Sequence, residues 1–462
     1  MKGILTENQI HYVFYHLNLI VDFSEYIHSF EIDYQKNELK GYHNKVVFKL
    51  SDDGLSLDNI RWLKQIPIVF PIAKNNTPYT IKNGILVFHH DFLKSCFYFL
   101  SGYQEYETSN TDQIGRFKYQ GSIQEKLGVI GKPVVNYYFE IIIDALNAIL
   151  PNEKQLKKRK LFEEWSLMLT HDIDYIDHYT FERFLYKIKE VFGLVKTYYS
   201  LKSNIKHLIH YIIQFLKFSF KDNPSWSFEY MRKVEKRNNF FSVFYFLHKD
   251  YKKLDSRYRF SDRRIRNLFD YLKAEKCEIG LHGTVKSVDD FKEAKKFYDE
   301  LKLNAGIKKM GLRQHRLLYK FPQTTKIHER LNLNYDTTLS FAEHEGFRNS
   351  FCLPFKLYDF DSDRMFDIWE IPLNIMDVTI FHYRNMSNPE AMKTIQNLIN
   401  EVKKFNGVLT VLWHNDFFNE DRFPGITEFY EDLHSHLAKE KANCLLGLDI
   451  VSKLNETEFI QT

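Results

Sequence analysis

Short apolar runs recur along the last two thirds of this chain, and stretches with helical spacing separate most of them. The runs are Ser166–Thr170, Phe240–Leu247, Cys277–Leu281, Lys309–Leu312, Leu333–Leu339, Met365–Ile371, Val408–Trp413 and Cys444–Leu448. Each has the length and apolar content of a buried strand. Helical patterns fall between them at Asp262–Glu275, Val288–Leu301 and Pro389–Phe405. Strand and helix in alternation predict a parallel sheet. About seven or eight strands over about 300 residues suit a closed or nearly closed (β/α) barrel. Residues 1 to about 150 instead mix strand and helix patterns and show no catalytic constellation. The charged run Lys154–Lys160 reads as an exposed connector. The expected organisation is a smaller α+β domain over residues 1–160 and an α/β domain over 161–462.

One segment breaks the alternation. Residues 181–221 are helical, aromatic and basic, with Lys187, Lys189, Lys196, Lys202, Lys206, Lys217 and Lys221 outnumbering Glu182 and Glu190. Tyr198, Tyr199 and Phe215 add aromatic surface. Leu208, Ile209, Ile212, Ile213 and Leu216 fall at helical spacing and are expected to pack inward, leaving the lysines solvated. A helical hairpin buttressing the barrel is the plain expectation. The sharper one is peripheral contact with a membrane or a lipid-linked glycan.

Composition narrows the classes. A chain of 462 residues is long for one ordinary core. A net charge of +4, spread along the chain, gives no nucleic-acid signature. Cys96, Cys277, Cys352 and Cys444 are too scattered for a disulfide framework or a zinc knuckle. The first residues lack the apolar core of a signal peptide, and no uncharged stretch is long enough to span a bilayer. The expected location is the cytoplasm, with contact at the inner face of a membrane as the variant that residues 181–221 suggest.

Candidate chemistry gathers at strand ends. In Leu169-Thr170-His171-Asp172-Ile173-Asp174, residues i and i+2 of an extended segment point the same way. Asp172 and Asp174 can then face one pocket, where a cation or a proton must separate them. Taken alone, such a pair is more often a solvated turn. His282, in Gly280-Leu281-His282-Gly283, follows another strand and is a candidate metal ligand, with glycines that admit close backbone approach. Gly311-Leu312-Arg313-Gln314-His315 offers an arginine to pair with a carboxylate and a second histidine to complete a metal shell. Leu412-Trp413-His414-Asn415-Asp416 repeats the pattern. Asp336 and Asp377 are candidate supporting carboxylates. Trp369 and Trp413 are candidate sugar-stacking rings, with a core role as the competing reading.

Residues from about 165 to 450 resemble the polysaccharide deacetylase superfamily, carbohydrate esterase family 4. Thr170-His171-Asp172-Ile173-Asp174 resembles the family's first motif, His282 the first histidine of its H-[ST]-x-x-H motif, Arg313 its third-motif arginine and Leu412-Trp413-His414 its late L-x-H motif. The resemblance implies a distorted (β/α) barrel of about seven strands. It implies Asp172 as general base held by Arg313, Asp174 and His282 as metal ligands, and His414 as general acid. One departure stands out: Lys286 occupies the place of the second metal histidine, and a protonated amine is a poor ligand. His315 is the expected replacement. The resemblance also implies a divalent metal cofactor, zinc the expected ion, and hydrolysis of an N-acetyl group on an amino sugar or glycan. Two rivals remain open: a non-catalytic barrel that binds a glycan or a protein, and a hydrolase of another C–N bond.

Overall fold

A computed structural model describes residues 1–22, 31–33, 45–195, 200–217, 223–249, 255–418, 420 and 423–459. Lys196, Tyr198, Tyr199 and Lys221 lie outside the described residues, as do the side chains of Phe215 and Lys217.

The N-terminal part opens with helix α1 (Glu7–Asn18), where Thr6 and Gln9 form a reciprocal cap. Strands β1 (Glu31–Asp33), β2 (Lys45–Phe48), β3 (Arg61–Leu63), β4 (Ile66–Ile68), β5 (Tyr79–Lys82) and β6 (Ile85–Phe88) follow. Helices α2 (Phe92–Leu100), α3 (Tyr103–Glu107), α4 (Ile123–Leu127) and α5 (Val134–Asn147) complete it. Four of the strands form one sheet in the order β1-β2-β6-β5, and β3 pairs with β4. Helix α2, FLKSCFYFL, is apolar nearly all round and every one of its residues is buried.

The second part holds β7 (Ser166–Ile173), β8 (Ser242–Leu247), β9 (Glu278–Gly283), β10 (Gly311–Gln314), β11 (Tyr335–Asp336), β12 (Phe355–Asp359), β13 (Arg364–Glu370), β14 (Ile375–Met376), β15 (Val408–Leu412) and β16 (Asn443–Cys444). They form one sheet in the order β12-β13-β11-β10-β9-β8-β7-β15-β14, with β16 also paired to β7. Every neighbouring pair along that order is parallel except β12 with β13. Burial is complete along β7, β8, β9, β10 and β15, as expected for parallel strands covered on both faces.

The expected closure of a barrel is not found among the described residues. The sheet ends in β12 and β14, which do not pair with each other among the described residues, and both edges of β13 are taken, by β11 and by the antiparallel β12. The periodicity did not single out Phe355–Asp359. Its outer side meets α1 and α2. Tyr12 Oη donates to the carbonyl of Lys356 at 2.7 Å, and His16 Nε2 accepts from Lys356 N at 3.1 Å. The N-terminal part thus covers the edge that a closed sheet would lack.

Two helices occupy the basic segment, α6 (Phe181–Val191) and α7 (Leu201–Lys217), and they pack on each other. The expectation that the apolar side chains of α7 pack inward is wrong. Ile209, Ile212, Ile213 and Leu216 are exposed and Leu208 is half-buried; among the described side chains of α7 the buried ones are Asn204 and Tyr211. Tyr211 ties α7 to the start of α6: its Oη donates to the carbonyl of Thr180 at 2.6 Å and its ring stacks on Phe184. The lysines Lys189, Lys202 and Lys206 are exposed, whereas Lys187 pairs with Glu190 at 2.7 Å. All four cysteines are free. Among the described residues no helix is long and apolar enough to cross a membrane.

Candidate active site and metal centre

Parallel register brings the strand-end residues together. Leu247 of β8 faces His282 on β9, and Arg313 of β10 also faces His282. Asp172 is the next-to-last residue of β7, and Asp174 lies just past its end. Alternation then sorts the side chains: His171 points away, bonding Glu235 at 2.6 Å and the carbonyl of Trp413 at 2.8 Å. Asp172 and Asp174 face the other way, into a cleft of about 320 Å³ lined in part by both of them, His315 and His414.

Asp174, His282 and His315 each offer one ligand atom, and these atoms lie within 4.8 Å of one another. The tautomers are set from behind. His282 Nδ1 donates to the carbonyl of Arg313 at 2.8 Å, and His315 Nδ1 donates to Asp255 Oδ1 at 2.6 Å. Each ring therefore presents Nε2 to the centre, 3.3 Å from Asp174 Oδ1 for His282 and 3.5 Å from Asp174 Oδ2 for His315. Asp174 Oδ1 is buried without a hydrogen-bond partner. An orphaned carboxylate oxygen facing imidazole lone pairs is repulsive unless a cation or a proton lies between them. Two neutral imidazoles and one carboxylate are also a donor set suited to zinc and similar divalent ions. The residues present therefore fit a metal ion. Burial would raise the Asp174 carboxyl, but His315 and His282 outweigh it and hold it well below the usual carboxylate range. Burial opposes protonation of His315, yet Asp174 and Asp255 push it up to about 9.

Lys286 takes no part in this centre. It is exposed and points to Asp290, 3.2 Å away.

The other two functional candidates flank the centre. Arg313, fully buried, donates from Nη1 to Asp172 Oδ1 at 3.0 Å and to Thr170 Oγ1 at 2.8 Å. Its Nε donates to the carbonyl of Thr337 at 3.0 Å, and its guanidinium lies over the Tyr245 ring. Tyr245 needs that space: a Cβ on Gly280 would collide with its ring, so this position of β9 has to be glycine. His414 is gripped twice by Asp377. Its backbone N donates to Oδ2 at 2.6 Å and its Nδ1 donates to Oδ1 at 2.7 Å. Burial would lower His414, but Asp377 outweighs it and raises it to about 10.

Three sequence candidates fall elsewhere. Asp336 is bound to His328 at 2.7 Å and to Thr338 N at 2.9 Å, so Asp377 alone of the two carboxylates holds His414. Trp369 is buried beneath Lys356 and donates to Asn455 at 3.0 Å. Trp413 is buried among Phe429, Tyr430 and Phe417. Neither indole can stack on a sugar.

Sequence reasoning missed Asp255, Arg116 and Tyr383. Asp255 is buried and also accepts from Val285 N at 3.1 Å. A lone Asp in a loop carries no periodic signal. Arg116 and Ile114 come from the N-terminal part, yet both line the cleft. Arg116 is held by Asp112 at 2.7 Å and reaches the carbonyl of Arg316 at 3.2 Å and Tyr383 Oη at 3.4 Å. The N-terminal part thus forms one wall of the cleft.

Residues 5–151 match a family of unknown function, DUF7033. No curated protein matches the chain. Among solved structures the chain is similar to a provisionally named polysaccharide deacetylase from Mycobacterium smegmatis, with 14% identity and a TM-score of 0.41, over 63% of this chain and 91% of that one. It is similar to Puue allantoinase at 13% identity and a TM-score of 0.39, over 63% and 90%. It is also similar to the peptidoglycan deacetylase PdaC from Bacillus subtilis at 11% identity and a TM-score of 0.30, over 65% and 96%.

Proposed function

We propose that this protein is a metal-dependent hydrolase that removes an N-acetyl group from an amino sugar in a glycan or glycan precursor. The observation that carries the reading is one cleft holding three components. These are the Asp174, His282 and His315 cluster, a carboxylate on an arginine, and a histidine on a carboxylate. A binding site has no need of a paired acid and base around an ion centre. The sugar is the finer part of the proposal and follows the motif resemblance of residues 170–174, 282, 313 and 412–414.

Asp174, His282 and His315 would hold the ion, zinc the expected one, and Asp255 and the Arg313 carbonyl keep both rings aimed at it. A divalent cation bound there would polarise the amide carbonyl and acidify water. Asp172 takes the proton from the attacking water, with the Arg313 guanidinium fixing its carboxylate. As the new C–O bond forms and the C–N bond breaks, His414 delivers its proton to the leaving nitrogen. Asp377 serves this step by keeping His414 protonated well above neutrality. The products are acetate and a free amine. Arg116 and Tyr383 stand where the rest of the substrate would enter.

The test is acetate release from a panel of N-acetylated sugars by protein loaded with zinc, with Asp172→Asn and His414→Ala as controls. Acetate from wild type and not from either variant supports the reading. Acetate release unchanged in either variant overturns the assigned roles. A ring-opened acid from cyclic amides, without acetate, moves the substrate to another C–N bond.

A further inference from the structure

We propose that the α6–α7 hairpin is a peripheral docking element for an anionic lipid bilayer. Eleven of the twenty-one large hydrophobic side chains exposed among the described residues lie between 181 and 216. On α7 they are Leu201, Ile205, Ile209, Ile212, Ile213 and Leu216, with Leu216 66% exposed. Successive helical residues turn by about 100°, so these positions and half-buried Leu208 fall within one arc of about 140°. Asn204 and Tyr211, buried among the described side chains of α7, lie outside that arc, on the side that bonds Glu190 of α6 and its N-cap Thr180. Helix α6 adds Phe181 and Leu185, and Phe192 follows its last turn.

Charge selects the occupant. Helix α7 contains no Asp or Glu, and exposed Lys202 and Lys206 fall on one border of the apolar arc. Of the two acids on α6, Glu190 is bound by Lys187 and Glu182 by Arg257. Lysines beside an apolar arc can bury their stems and reach headgroup phosphates. A second copy of the same face would instead oppose lysine to lysine, which argues against self-association through it. The hairpin also adjoins the cleft: Arg183 on α6 lies 3.4 Å from Asp416, two residues after His414. Docking would place the cleft beside the lipid surface.

This inference goes beyond the hydrolase reading, and its test needs no turnover. Full-length protein is co-sedimented at low salt with vesicles of phosphatidylcholine alone or with added phosphatidylglycerol. Binding to the anionic vesicles is expected, with a loss on the order of a hundredfold in the triple variant I209S/I212S/L216S. The loss expected in K202Q/K206Q is about thirtyfold. Leu303→Ser, at a site exposed elsewhere, is expected to bind like wild type. All these positions are at the surface, so melting curves should match wild type. Failure of the wild type to sediment with anionic vesicles overturns the proposal. So does binding that the hairpin variants leave unchanged, or a wild-type dimer that the triple variant turns into a monomer.

Discussion

Replacing Asp255 with Asn tests whether His315 is held as a ligand. Asp255 Oδ1 accepts from His315 Nδ1 at 2.6 Å, and both carboxylate oxygens face Val285 N at 3.1 and 3.2 Å. An asparagine cannot reproduce this. If its oxygen stays on His315, that oxygen still accepts from Val285 N, but the NH₂ in the place of Oδ2 opposes the same N–H. If it turns over, the NH₂ opposes His315 Nδ1 and favours the tautomer that carries a proton on Nε2, toward the centre. In either orientation His315 also loses the negative charge that makes it a stronger donor. A hydrogen bond to a charged group is worth about 1.5–3 kcal/mol. Loss of such a supporting group typically weakens metal binding about 10- to 100-fold. The expected result is therefore a zinc dissociation constant raised by about 10- to 100-fold, read by competition with a chromophoric chelator, in protein whose melting curve without metal stays close to wild type. Unchanged affinity in folded Asp255→Asn would refute the claim that this contact sets the ligand.

Other outcomes follow from the same geometry. Asp172→Asn should keep its zinc yet lose about a hundred- to ten-thousandfold in turnover, checked by metal content and acetate release on the same sample. Asp377→Asn removes the group that raises His414 to about 10. Its activity should hold below neutrality and fall off at lower pH than wild type on the alkaline side; an unshifted pH profile would exclude His414 as the acid. Glu278 is fully buried, accepting from Tyr335 Oη at 2.6 Å and Leu448 N at 2.9 Å, and burial pushes its carboxyl up to about 7. A carboxyl raised above its unfolded value contributes stability that is present below that value and is lost as pH rises through the folded one. Glu278→Gln should therefore melt like wild type in acid and be more stable above neutrality, by up to about 3 kcal/mol; equal stability at both ends would contradict it.

What the sequence determined by itself is local in origin. Short apolar runs located the strands around Asp172, His282 and Arg313 to within a few residues, because burial on both faces forces such a run. Strand-end chemistry was legible for the same reason: Asp174, His282, Arg313, His315 and His414 each stand at or just past the end of such a run. Tertiary structure decided everything that depends on residues far apart in the chain. Lys356 meets Tyr12 across more than three hundred positions, so α1 lies against β12 at the edge where a barrel would close. Asp377 rather than Asp336 holds His414, because β14 runs beside β15 while Asp336 is already bound to His328. Trp369 and Trp413 read equally well as sugar platforms or as core until their neighbours are known. Helix α7 shows the limit most directly. Its period locates an apolar face, but a period carries no information on what lies opposite. Only the fold, by turning Asn204 and Tyr211 inward, leaves that face to the surroundings.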